Sequence, residues 1–145
     1  MKRVFIVLMT AFVFFSCESS NSRVLDFHQL PAKAQSFIKT HFADKEITLV
    51  FSDDDFIDRD YEVSFADGTK VDFNRSGEWI NIDMGKNQRV PASAMPAAIN
   101  SFVTGRHPNN YVVDIDKDFL EYKVELNNGI EIYFERDGDF KRYDD

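Results

Sequence analysis

Residues 61–79 read "YEVSFADGTKVDFNRSGEW", and residues 122–140 read "YKVELNNGIEIYFERDGDF". Tyr61, Val63, Gly68, Phe73, Arg75 and Gly77 return as Tyr122, Val124, Gly129, Phe134, Arg136 and Gly138, each 61 positions on. The register of this stretch decides the fold. Tyr61, Val63 and Phe65 alternate on one face of a strand, as do Val71 and Phe73. A two-residue turn at Asp67-Gly68 sets Phe65 against Lys70 and Ser64 against Val71, which mixes the faces. A three-residue loop, Ala66-Asp67-Gly68, instead pairs Val63 with Val71 and Tyr61 with Phe73. Every apolar side chain then lies on one side, and Gly68 takes the left-handed position such a loop needs. The second copy obeys the same rule, with Asn127-Asn128-Gly129 as the loop and Leu126, Val124 and Tyr122 facing Ile130, Ile132 and Phe134. A further strand follows each hairpin. Ser76-Gly77 and Asp137-Gly138 read as two-residue turns, pairing Phe73 with Ile80 and Val71 with Ile82. That register throws Trp79 and Phe140 onto the opposite face, together with Tyr133.

A helix precedes each set of strands. "LPAKAQSFIKTHF" (30–42) puts Leu30, Ala34, Phe37, Ile38 and Phe42 on one stripe, and Pro31 suits a first helical turn. "MPAAINSFVTGRH" (95–107) repeats the stripe as Met95, Ile99, Phe102 and Val103; alternatively Pro96 stands ahead of that helix, with Val90–Met95 as a lead-in. "EITLVF" (46–51) and "YVVDI" (111–115) are further β-branched strands. One unit of about 60 residues has a thin core and is marginal alone; two joined through their sheets share one. The fold class is therefore α+β. Two tandem α-β4 modules, residues 30–87 and 88–145, form a mostly antiparallel sheet of about eight strands with two helices on one face.

The 145 residues include 15 phenylalanines, which suits a sheet with one covered face. The formal net charge of −8 argues against phosphate-neutralising contact with nucleic acid. Residues 1–16 carry a basic start, "MKR", then the 12-residue apolar run "VFIVLMTAFVFF", long enough for the core of an export signal and short for a membrane span. Cys17, the single cysteine, follows Ser16. One thiol makes no internal disulfide in an exported protein. Its placement resembles a bacterial lipobox, although Phe14 stands where that pattern prefers leucine. The resemblance implies cleavage before Cys17 and its lipidation, leaving 15 basic and 25 acidic residues, net −10. The other reading is cleavage after Ser19 with a free thiol. Residues 17–29 read as a lipidated N-terminus and tether, with "ESSNS" (18–22) as its flexible part.

The lipobox-like signal, "LP…A…FI…HF", "YEVSFADGTKVDFNRSGEW" and the second copy together resemble the PepSY-like, β-lactamase-inhibitor-protein-like family of exported bacterial proteins. The resemblance runs from Leu30 to Asp145 and is most specific at Tyr61-Glu62-Val63, Asp67-Gly68, Phe73, Gly77 and Trp79. Phe140 stands for the tryptophan in the second copy, and Asn128-Gly129 for Asp-Gly. The resemblance implies tandem modules with a concave sheet opposite the helices. It implies little chemistry; the family's namesakes clasp an enzyme with the open sheet face, and shared fold does not by itself transfer that role.

No catalytic set is visible. His41 and His107 fall near the helix ends, where an imidazole suits the helix C-terminus. There is no nucleophile elbow and no phosphate loop, so the sequence reads as a non-enzyme without an organic cofactor. Two acidic stretches offer hard oxygen ligands for Ca²⁺: Asp53, Asp55 and Asp58 in "SDDDFIDRD", and Asp114, Asp116 and Asp118 in "DIDKD". Phe119 occupies the position where an EF-hand requires glycine, so any calcium site is of a looser kind; a solvated acidic loop is the plainer alternative. Trp79, Tyr133 and Phe140 in a polar field fit a protein-binding surface, or else pack on the lead segment around Val24, Leu25 and Phe27 or stay partly buried where the two sheets join. The reading is a lipid-anchored, non-catalytic binding module of the cell envelope, facing the periplasm or the cell exterior. It holds or inhibits an unidentified protein with its open sheet, and meets the membrane by its anchor only. A calcium-responsive protein and a small-ligand carrier are the alternatives.

Overall fold

The computed structural model describes residues 22–54 and 59–144. Residues 1–21, Cys17 among them, and Asp55 and Asp58, to which the sequence assigns the export signal, the anchor and two calcium donors, lie outside the described residues. β1 (Ser22–Val24) leads through a short 3-10 turn into α1 (Ala32–His41). β2 (Ile47–Asp54), β3 (Arg59–Phe65), β4 (Lys70–Phe73) and β5 (Trp79–Asp83) follow. A second 3-10 turn (Ala92–Ala94) precedes α2 (Ala97–Arg106), then β6 (Val112–Lys117), β7 (Glu121–Leu126), β8 (Glu131–Glu135) and β9 (Phe140–Tyr143). The nine strands of the described residues form one antiparallel sheet in chain order. The ninth strand is β1, which turns part of the expected tether into an edge strand on β2.

The core follows from one cross-strand row. Val63, Val71, Ile82, Ile115, Val124 and Ile132 are successive neighbours from β3 to β8 and are fully buried. The seam is the Ile82–Ile115 pair between β5 and β6, so a single core runs under the whole sheet. Both helices close this face. Leu30, Ala34, Ile38 and Phe42 are buried from the α1 region, as are Met95, Ile99 and Val103 from the α2 region. Phe37 meets Phe73 edge-on, and Phe102 does the same with Phe134. Pro31 and Pro96 stand just before their helices, each as the N-cap, rather than inside the first turn.

The two hairpin registers derived above hold: Val63 faces Val71 and Tyr61 faces Phe73, while Val124 faces Ile132 and Tyr122 faces Phe134. The next turns differ from expectation. Asn74 N–H donates to Glu78 O and Gly77 N–H to Asn74 O, so the loop is Arg75-Ser76-Gly77, three residues long. Phe73 therefore pairs with Trp79, and a β-bulge at Ile80 restores Val71 against Ile82. The same occurs at Arg136-Asp137-Gly138, with Phe134 on Phe140 and a bulge at Lys141.

Candidate interaction face

The bulges correct the expected surface. Trp79 and Phe140 lie on the helix side, not on the open face. Trp79 stacks against Phe37 of α1 at 6.3 Å between ring centroids and neighbours Tyr122 at 6.1 Å, with the Lys117 ammonium 5.4 Å from its ring. Phe140 lies parallel to Phe102 of α2 at 4.8 Å. Of the three aromatic candidates, Tyr133 alone is on the open face, with the Arg142 guanidinium 3.5 Å above its ring. A single residue inserted at each bulge causes the change, since one step of register moves a side chain to the other face.

The open face has its own row. Glu62, Asp72, Asn81, Asp116, Lys123, Tyr133 and Arg142 are consecutive cross-strand neighbours from β3 to β9. Phe51 and Val24 extend it to the β1 edge. A parallel row beside it holds Lys70, Asp83, Asp114, Glu125 and Glu131. Among these strands Asp72, Ile80, Asn81, Asp114, Asp116 and Tyr133 help to line a shallow groove of about 610 Å³. Ile80, aimed here by the bulge, and Phe51 were missed in the sequence; the alternation of "EITLVF" places Phe51 opposite Val50 and could have found it.

The groove is electrostatically unbalanced. Asn81 donates to Asp116 at 2.8 Å and more weakly to Asp114 at 3.4 Å. Burial, then the neighbouring Glu62, raises the Asp72 carboxyl to about 6. Burial, then Asp116, raises Asp114 to about 6. Asp72 Oδ1 is buried with no hydrogen-bond partner. Lys117 and Lys123 also line the groove, Lys123 being held by Glu131 at 2.9 Å, while Lys70 meets Glu62 at 3.2 Å.

The metal candidates do not converge. Asp53 projects from β2, and Asp114 and Asp116 from β6, four strand spacings or roughly 19 Å away. Asp118 is occupied locally, accepting the N–H groups of Leu120 at 2.6 Å and Glu121 at 2.8 Å. Among the described residues no group of three or more His, Cys, Asp or Glu side chains is placed to hold a metal. His41, at the end of α1, bonds Ser93 Oγ at 2.9 Å, and His107, capping α2, bonds the Tyr143 hydroxyl at 3.0 Å.

The family described as "Putative beta-lactamase-inhibitor-like, PepSY-like" matches residues 59–142. The chain belongs to this PepSY-like family. Three solved structures share its fold over nearly their whole length. One is a "putative periplasmic protein" of the DUF2874 family from Bacteroides vulgatus, 32% identical, with 88% of this chain and 99% of that one covered at a TM-score of 0.81. A second is a "putative calcium-regulated periplasmic protein" from Bacteroides thetaiotaomicron, 35% identical over 86% and 98% of the two chains, TM-score 0.82. A third, from Bacteroides vulgatus, is a "putative periplasmic protein of unknown function", 30% identical over 86% and 99%, TM-score 0.78. No curated protein matches the chain.

Proposed function

We propose that this PepSY-like protein is a lipid-anchored, non-catalytic component of the bacterial cell envelope that holds a partner protein on its uncovered sheet face. The observation carrying this reading is the continuous open-face row from Glu62 to Arg142, with a carboxylate-rich groove at its centre and an aromatic–guanidinium pair at one end. Such a face, polar and still solvated, with a large ring at its side, has the make-up of an interface that forms and dissociates. Export is supported by the "MKR" and apolar run at residues 1–16 and by the periplasmic descriptions of the relatives; Cys17 supplies the anchor. The two halves are read as copies of one α-β4 module fused edge to edge, which the matching loops, bulges and glycine positions support. An inhibitor of a hydrolase is one form the partner relation takes. The test is affinity capture of the tagged, full-length protein from envelope extracts. Replacing Asp72→Lys, Asp116→Lys and Tyr133→Ala together removes the partner recovered with wild type; recovery of the same partner in the same amount excludes this face.

A calcium-responsive role is the second reading. It is favoured by the 35% identical relative described as calcium-regulated and by the raised carboxyls of Asp72 and Asp114, which a cation relieves. Of the acidic candidates, Asp114 and Asp116 share β6 and are the oxygen donors this reading uses, while Asp53 stands four strands away and Asp118 is held by its own turn. Millimolar Ca²⁺ then raises the melting temperature, and an Asp114→Asn, Asp116→Asn variant loses the rise; an unchanged wild-type melt removes this reading.

A further inference from the structure

The turn between β6 and β7 holds two neighbouring apolar side chains in water: Phe119 is 93% exposed and Leu120 is 69% exposed. The turn is not slack. Asp118 accepts two backbone N–H groups through its carboxylate, its own N–H donates to Glu121 O at 3.1 Å, and Arg136 donates to its carbonyl at 2.9 Å. A well-bonded turn that keeps a phenyl ring and an isobutyl group outward is suited to a non-aqueous neighbour.

The fold says what that neighbour is. Ser22 pairs with Asp53, Asp53 with Asp60, Tyr61 with Phe73 and Phe73 with Trp79, so the chain enters the sheet at the end that carries the β4–β5 turn. β5 pairs antiparallel with β6 through Asn81 and Asp116, which brings the β6–β7 turn to this same end. The hairpins at 66–68 and 127–129 are at the other end. Four residues, 18–21, separate Cys17 from Ser22 at the start of the sheet's first strand, five Cα steps with a reach of at most about 17 Å. β1 and β6 are five strand spacings apart, roughly 24 Å. An acyl group on Cys17 therefore holds this end of the sheet close to the bilayer, and a modest tilt sets the β6–β7 turn on its surface. Asp116, Asp118 and Glu121 beside the turn are matched by Lys117, Arg136 and Lys141, of which Arg136 bonds the Asp118 carbonyl and Lys141 pairs with Glu121, and this balanced surround suits a zwitterionic surface.

We propose that Phe119 and Leu120 dip into a zwitterionic lipid surface as a second membrane contact, fixing the orientation of a body that Cys17 alone would leave to swing. This rests on the anchoring read from Cys17. Two weak membrane signals acting together are a general means of stable attachment, and a fixed tilt decides which way the open sheet face looks.

The test uses the lipidated full-length protein carrying Phe119→Trp in a Trp79→Phe background, so that position 119 holds the single indole, reconstituted on vesicles of brominated phosphatidylcholine. Insertion gives a blue-shifted emission and about a twofold or greater quench relative to unbrominated vesicles. A protein that floats with the vesicles but whose indole stays unquenched at the emission wavelength of a solvated ring overturns the inference and leaves the anchoring standing. A protein that fails to float overturns the anchoring and the inference with it.

Discussion

Two kinds of residue show how closely this chain is fitted. Gly68 and Gly77 both sit at positive φ, +88° and +80°, but only Gly77 is against another element. A Cβ on Gly77 would lie 2.8 Å from Pro31 Cβ and 3.1 Å from the Ala34 nitrogen, while one on Gly68 meets nothing within 4 Å. Gly68→Ala is expected to cost about 1–2 kcal/mol from backbone strain alone. Gly77→Ala adds an overpacking penalty to reach about 2–4 kcal/mol, as read from urea unfolding of the two variants. The sequence showed these glycines as turn residues; it gave no sign that one turn is pressed against a helix, because that contact joins residues far apart in the chain. Asp72 is the second case. Its carboxyl is raised to about 6 by burial and then by Glu62, so the folded state holds the proton more tightly than the unfolded state does. Stability from this group is fully present below about pH 4 and is lost as pH rises through about 6. Asp72→Asn is expected to melt higher than wild type at pH 7.5 and alongside it near pH 4; parallel melting profiles across that range contradict the assignment.

At the scale of elements, alternation of apolar residues fixed the hairpins at Gly68 and Gly129, because a wrong loop length there puts Val71 or Ile132 into water. The same reasoning had less to hold on to at Gly77 and Gly138. Trp79, Ile80 and Ile82 are all apolar, so more than one register buries something, and a bulge lets Trp79 and Ile82 share the core face while Ile80 turns outward. The helix decides between them, since Phe37 and Phe102 offer Trp79 and Phe140 rings to stack on. Phe140→Ala is expected to destabilise the fold by about 0.5–1.5 kcal/mol through loss of that stack, measured by thermal or urea unfolding. Partner capture survives the change, because the side chain is on the helix side. Trp79 is for the same reason a reporter of α1 packing: Phe37→Leu shifts its near-ultraviolet circular dichroism, while an occupant of the open groove leaves it unaltered.

At the scale of the molecule, the helices cover one side of a nine-stranded sheet and leave the other to a row of charged and polar side chains. The α+β class and the two-helix, one-sheet layering were legible because the apolar stripes and strand alternation recur along the chain. The extra edge strand was not, since "SRV" has no pattern of its own and pairs only because β2 offers an unpaired edge. The gathering of Asp114 and Asp116 beside Asp72 was also hidden, as it depends on which strand β5 meets across the seam. The account makes the uncovered face the place of contact. Photo-crosslinking in living cells tests this most directly, with a photoreactive amino acid at Asp116 or Lys123 on the open face and at Thr40 or Ser101 on the helices. The account predicts a discrete adduct from the sheet positions and none from the helix positions; adducts from Thr40 or Ser101 with silence at Asp116 and Lys123 would contradict it.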